Sequence, residues 1–431
     1  MAPVPFPSES RAQFYSLRHP FTRLISSNSQ FDLIKLQWQN PQDILSILTI
    51  IGADIVQRAV AQLAGHPYYF TPVAFSFGWV GYALNALLAI MGEGKLMPPA
   101  DCDCILVNAT TQYSKQNKSW VLGRLVRDLE KNATKPGLTV TFYKTSSGNQ
   151  GIPSMDWVYY SGVIVIVAQL GISVIPGVLY EDWTILMVTA IGTLLSILGG
   201  ALPKWKKEKW SCRKMKKNDK AVICLTRGNG YNDVFVIISE GEGHLRLEDL
   251  ANARDVPVSG TFALALVLCI CQALLLLTVA GLKNNAWFLL LIGSLGIVQN
   301  GVAAGVRRAP GTTGIHLEKQ GESIRRDKVF PALQDAEERE RYVGISLLAI
   351  FFNSKLRPHE EQWREEKLAS HAKAEHTSRP TSNLATQVPQ NGEEDEKQDY
   401  AQQANSGVYN SNDIQETSRI PPSSTTTLVG K

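Results

Sequence analysis

The chain has 431 residues, 44% of them hydrophobic and 19% charged, and a formal net charge of only +4. That balance gives no ground for a nucleic-acid partner, and six cysteines over this length do not make a secreted disulfide framework, so reduced thiols are expected. The mean hydropathy of -0.07 would suit a soluble protein, but the apolar residues are segregated. About six windows of 20 to 25 residues are nearly free of charge, the length that crosses ~30 Å of hydrocarbon at 1.5 Å rise per residue.

Residues 1–43 carry Pro, Ser and scattered charge without the apolar core of a secretory signal, so the first span is expected to direct its own insertion. Spans are predicted at 44–65, 71–92, 157–180, 183–202, 258–282 and 286–306. They give an all-α membrane fold of about six transmembrane helices in three hairpins, at 44–92, 157–202 and 258–306. A small cytosolic α/β insert and a disordered C-terminal tail complete the expectation. The hairpin turns are short, at 66–70, 181–182 and 283–285, which forces 93–156, 203–257 and 307–431 on to the opposite face. Tyr68, Tyr69, Trp157, Tyr159, Tyr160, Tyr180, Trp183, Trp205 and Trp287 fall at expected interfaces, where amphipathic rings favour the headgroup layer.

Charge sets the orientation. Residues 204–220 (KWKKEKWSCRKMKKNDK) hold nine Lys or Arg directly after a span, and Arg307 and Arg308 follow the sixth. The positive-inside rule places these loops, and with them both termini, in the cytoplasm. All three N-x-S/T sequons, at Asn108, Asn117 and Asn132, lie in 93–156 and would suit a lumenal face. The same loop carries eight Lys or Arg, and a cytoplasmic position is expected.

Within 93–156, residues 104–109 (CILVNA) predict a buried strand, 119–131 an amphipathic helix, and 138–143 (LTVTFY) a second strand. Within 203–257, residues 221–226 (AVICLT) and 234–239 (VFVIIS) flank Gly228-Asn229-Gly230, a hairpin turn because Asn and Gly tolerate positive φ. Neither piece buries its apolar face alone, so the two are expected to join in one α/β cap. The juxtamembrane segment 307–357 contains a charged helical stretch and then YVGISLLAIFF (342–352), too short to cross. It is either a helix in the interface or one packed on the cap. Residues 358–431 are polar enough to be expected as disordered.

Asp54, Arg58 and Gln62 recur at i, i+4, i+8 on one face of the first span. Charge at membrane depth requires a partner or water, so this face is a candidate polar path or an interhelical lock. Asn85, Gln169, Gln272, Gln299 and Asn300 complete the candidate intramembrane cluster, each amide suited to one interhelical hydrogen bond. Pro176 and Gly199-Gly200 are candidate bends, and Gly301 with Gly305 forms a small-xxx-small packing step. Lys204, Lys206, Lys207, Lys209, Arg213, Lys214, Lys216 and Lys217 are candidate contacts for anionic lipids, or serve only to fix topology. Asp101-Cys102-Asp103-Cys104 lacks a second ligand pair at zinc spacing, and no P-loop, dinucleotide, G-x-S-x-G or H-E-x-x-H signature occurs. No metal, cofactor or catalysis is expected.

FSFGWVGYALNALLAIMGEGKLMP (75–98), SWVLGRLVRD (119–128) and LTRGNGYNDVFVII (225–238), in that order among the spans, resemble an uncharacterised group of integral membrane proteins of filamentous fungi. The resemblance covers about residues 45–310 and implies a eukaryotic, fungal setting, without assigning a role to any residue. Two functions follow from the residues themselves. One is a membrane-anchored scaffold or regulatory protein, with the bilayer as one partner and a cytosolic protein recruited by the tail as another. The other is a transporter or channel-like protein with a path through Asp54 and Arg58.

Overall fold

A computed structural model describes residues 42–378 apart from 93, 131–136, 147, 283–284 and 353–355, so the expected tail beyond 378 and the sequon at Asn132 lie outside the described residues. In chain order the elements begin with α1 (Gln42–Leu63), α2 (Gly78–Gly92), β1 (Ile105–Asn108), β2 (Ser114–Gln116), α3 (Trp120–Leu129) and β3 (Leu138–Thr145). Next come α4 (Trp157–Tyr180), α5 (Thr184–Gly200), α6 (Pro203–Lys209), β4 (Lys220–Thr226), β5 (Asp233–Glu240) and α7 (Leu247–Leu250). The chain continues with α8 (Thr261–Ala280), α9 (Ala286–Gly305), β6 (Leu317–Lys319), β7 (Ile324–Arg326), α10 (Val329–Arg339), α11 (Val343–Phe351) and α12 (Pro358–Ser378). The described residues up to Leu368 form one compact unit; the described part of the second, 369–378, is helical.

Among the described residues four helices are long and apolar enough to cross a membrane: α4, α5 with its continuation through α6, α8 and α9. Their outer faces expose large apolar side chains such as Ile164, Leu194, Leu277 and Val298, a surface suited to lipid rather than water. The two ends of this bundle are fixed by pairings. At the distal end Asn285 donates to Asp182 (3.0 Å); at the other, Arg308 holds Asp156 through Nε (2.8 Å) and Nη2 (2.6 Å). Exposed Trp157, Tyr160, Tyr68 and Tyr69 belong to the second end, and Tyr180, Trp183 and Trp287 to the distal one. Trp205 and Tyr159 are the exceptions among the expected interface aromatics, both being buried, Trp205 stacked on Tyr82 and Tyr159 against His66.

The second end carries the α/β domain. Its sheet of seven strands runs β2-β1-β4-β5-β3-β6, with β7 also on β3. The two loops join as expected: β1 lies antiparallel to β4, with Leu106 opposite Leu225, and β3 lies parallel to β5, with Phe142 opposite Val236. β4 and β5 form the anticipated hairpin, whose turn places Gly228 and Gly230 at φ of 92° and 95°, where a Cβ is strained. Alternation assigns the two faces. Leu106, Ile223, Leu225, Phe235 and Ile237 face α3 and the bundle, while Val107, Val140, Cys224 and Val236 face α10 and α11.

Two expectations are corrected and one open alternative is decided. Residues 71–77 are not helical, and α2 has only 15 residues, about 22 Å and short of a bilayer. Residues 317–326 of the juxtamembrane segment add two short strands to the sheet, and α11 packs on it, the second of the two positions expected for 342–352. Residues 358–378 are helical where disorder was expected. Glu360 accepts from the Arg357 amide at the start of α12, and Trp363 stacks edge-on against Phe330 at 5.4 Å.

Candidate functional site: a buried extended segment and the domain floor

Residues 71–77 run through the bundle without helix or strand and are buried throughout. Apart from the Val73 N–H, which bonds Thr71 O within the segment (2.8 Å), such backbone draws its partners largely from other elements, and inside an apolar bundle each orphan costs several kcal/mol. Amide side chains supply them. Asn300 Oδ1 accepts from Ala74 N (3.1 Å) and its Nδ2 donates to Ala74 O (3.0 Å). Gln169 Nε2 donates to Phe75 O (2.7 Å) and to Ile292 O (2.8 Å), and the Trp79 indole to Ala74 O (3.1 Å). Thr71 donates to Gly200 O at 3.0 Å.

The surrounding helices make room with glycine. A Cβ on Gly296 would run into Phe75 O, one on Gly162 into Pro72 O, and one on Gly192 or Gly293 into the rings of Phe75 or Phe77. Gly52 of α1 lies directly against Gly78, where the segment turns into α2. Gly199 and Gly200 accommodate Trp79 and Thr71 instead of bending α5. Gly301 and Gly305 have nothing within 4 Å, so that small-xxx-small step makes no close packing among the described residues.

The path of the segment overturns the first predicted hairpin. The 66–70 connection lies at the domain end: His66 packs on Tyr159 with ring centroids 4.9 Å apart, and Lys209 donates to Ala64 O at 2.9 Å. From there the chain descends until Phe77 meets Gly293, twelve residues before the end of α9 at Gly305, about 18 Å deep. α2 then returns, so that Leu96 and Met97 reach the domain floor and donate to Glu208 (2.9 Å each). Both ends of 66–97 are therefore on one side.

The predicted polar cluster separates into roles. Gln169 and Asn300 hold the segment; Gln299 donates to Ser161 at 2.9 Å, an ordinary interhelical bond. Gln62 and Gln272 are buried with side-chain atoms that lack a protein partner among the described residues. Asn85 is exposed on the outer face of α2. Asp54 and Arg58 pair at 2.9 Å, with side chains 66% and 47% exposed, on the outside of α1. Neither lines an internal path, and Arg58 also approaches Asp101 of the domain at 3.8 Å.

Asp101, singled out in the sequence beside Cys102, is part of the weld between domain and bundle. Arg124 of α3 is completely buried and donates to Asp128 (3.0 Å), to Ala304 O (2.6 Å) and to Val306 O, capping the end of α9. Asp101 lies 3.6 Å from Arg124 and 2.7 Å from Arg127. Burial raises the Asp128 carboxyl above the usual range, against the pull of Arg124. His66 is pushed down to about 4 by burial and by the nearby Lys209 and Arg308.

The basic run divides in the same way. Lys204 is buried and bonds Asp255 (3.0 Å), while Lys209 donates to Gln62 O (3.1 Å) and Ala64 O; both are internal struts, not lipid contacts. Lys206 sits 5.3 Å above the Tyr69 ring, and Arg213 holds Asp249 at 2.7 Å. Lys207, Lys214, Lys216 and Lys217 are exposed. Of the sequons, Asn108 and Asn117 are buried, their side-chain amides bonded to Glu248 and to Ser119 respectively. No protein-family model, curated protein or solved structure matches the chain.

Proposed function

We propose that the chain is a multi-pass integral membrane protein acting as a membrane-anchored scaffold or regulatory protein, its α/β domain at the cytoplasmic surface. Five helices cross in this reading (α1, α4, α5, α8 and α9), and residues 66–97 form a re-entrant hairpin opened and closed on the cytoplasmic side. Because α1 rises from the distal end to the domain, residues 1–41 then sit on the opposite face, not in the cytoplasm as the six-span scheme had it. The exposed Lys207, Lys214, Lys216 and Lys217 beside the bundle end favour this orientation, as do the buried amides of Asn108 and Asn117.

One observation carries the choice of role: the amides of Gln169, Gln299 and Asn300 are spent on the fold. Gln169 and Asn300 are bound to backbone, and Asp54 and Arg58 face outward, which leaves the transporter alternative without a lined path among the described residues. A scaffold needs instead a rigidly mounted cytoplasmic domain, which the Arg124 weld provides. Proximity labelling from the C-terminus in intact cells, with and without residues 379–431, tests the role. Tail-dependent labelling of a reproducible set of cytosolic proteins supports it; labelling confined to lumenal or extracellular proteins, or unchanged on deleting the tail, contradicts it.

A further inference from the structure

A cavity of about 470 Å³ opens in the floor of the α/β domain, between the chain leaving α2, the first turn of α3, α6 and the approach to α8. We propose that it binds a phosphate monoester, borne by a lipid headgroup or by a soluble phosphorylated molecule.

Three cations from separate stretches converge on it: Lys95, Lys118 and Arg254. Among the described residues Lys95 and Lys118 hold no ion pair within the protein, so their charges are free for a ligand. The cavity also receives the N-terminus of α3, whose Ser119, Trp120 and Val121 line it. Ser119 occupies the N-cap position, yet its hydroxyl makes no capping bond although the residue is only 4% exposed. The side chain of Asn117 fixes the Ser119 backbone instead, accepting from Ser119 N (3.0 Å) and donating to Ser119 O (2.8 Å). The side chain of a buried serine without a capping bond and the first turn of a ten-residue helix thus line a basic cavity, the arrangement that receives phosphate at helix N-termini.

The acids of the lining leave the balance positive. Glu208 is turned to the amides of Leu96 and Met97 and to Lys204 at 3.2 Å. Lys209 points away, to the Gln62 and Ala64 carbonyls. Three cations then face Asp103. A monoester carries about −1.5 to −2 charges and three acceptor oxygens at pH 7, which matches that surplus and the several donor directions better than a carboxylate or a phosphodiester. The lipid source rests on the membrane reading above, since it requires the floor to lie at headgroup level; the soluble source does not.

The test uses the full chain in phosphatidylcholine nanodiscs, with glycerol 3-phosphate added in solution or phosphatidic acid placed in the disc, and phosphatidylglycerol as the diester control. Thermal stabilisation and direct binding are read together. Saturation by glycerol 3-phosphate assigns a soluble ligand, and saturation by phosphatidic acid alone assigns a lipid. In either case Lys118→Ala with Arg254→Ala weakens binding at least tenfold, Asp103→Asn tightens it, and Lys214→Ala with Lys217→Ala leaves it unchanged. Lys118 and Arg254 are exposed, so these variants fold. The proposal is overturned if neither probe saturates, if phosphatidylglycerol matches phosphatidic acid, or if the double variant binds as wild type does. A chain that does not embed in the discs would contradict the membrane reading separately.

Discussion

Asn300 meets Ala74 as a neighbouring strand would: its amide accepts from the Ala74 N–H and donates to the Ala74 carbonyl, at 3.1 and 3.0 Å. A carboxamide presents a donor and an acceptor on one plane, the pattern of a peptide unit. A side chain on one helix therefore replaces the sheet partner that an extended segment inside a helical bundle does not otherwise have.

Removing that surrogate leaves the buried Ala74 N–H unpaired and its carbonyl with the Trp79 indole alone. Asn300→Leu is expected to destabilise the protein by about 2–4 kcal/mol, read as a lowered midpoint of thermal unfolding in detergent. Asn300→Asp, which keeps only the acceptor, falls between the two. An unshifted midpoint for Asn300→Leu would show that the Ala74 N–H has another partner.

Glycine clearance is position-specific. Gly296→Ala places a methyl where the Phe75 carbonyl lies and is expected to lower the yield of folded protein sharply. Gly301→Ala and Gly305→Ala, on the same helix but facing open space, are neutral or slightly stabilising, as alanine favours helix. Equal behaviour of the three in size-exclusion chromatography of detergent extracts would contradict the arrangement.

Arg124 is the rivet between domain and bundle. Arg124→Ala abandons Asp128 and two carbonyls at the end of α9 in a buried site, a loss of about 3–5 kcal/mol, visible as early proteolysis of the α/β domain. Arg124→Lys rescues little, because one ammonium cannot span the same acceptors. Replacing Arg124 and Asp128 together by Met and Leu recovers part of the loss, since no acid is then stranded at position 128.

Much of this architecture was legible in the sequence, and the failures have a common cause. The strands and the α3 helix stand out because 221–226 and 234–239 are short, near-continuous apolar runs on either side of a Gly-Asn-Gly turn and 119–131 carries apolar residues at a period of 3.6. The run 71–92 misled because hydropathy records that residues avoid water without recording whether they coil. The amides at 169 and 300 were marked as glue, but their partner was backbone, which has no sequence signature. Gly162, Gly192, Gly293 and Gly296 were the available signal, small residues dispersed on three helices, and only their convergence on one segment gives them meaning. The short strands β6 and β7 were missed because three residues are too few to establish a period.

His66 makes stability depend on pH. Its folded-state value of about 4 lies below the 6.5 of the free side chain, so the unfolded chain binds the proton more readily. The contribution of His66 is then whole above pH 6.5 and falls as the pH drops from 6.5 towards 4. His66→Gln is expected to flatten the decline between pH 6.5 and 5, worth up to about 2 kcal/mol, in thermal unfolding followed across that range. An identical pH profile in the variant would remove His66 as the cause.

The re-entrant path is tested most directly by sidedness. In a cysteine-free background, single cysteines replace Tyr68, which is 78% exposed, Lys217 on the domain side, and Glu181 in the distal turn. Sealed vesicles are then treated with a membrane-impermeant maleimide. The account predicts that positions 68 and 217 label from the same side and 181 from the other. Labelling of 68 together with 181, and apart from 217, would mean that the first two helices form a crossing hairpin, and the account would be wrong.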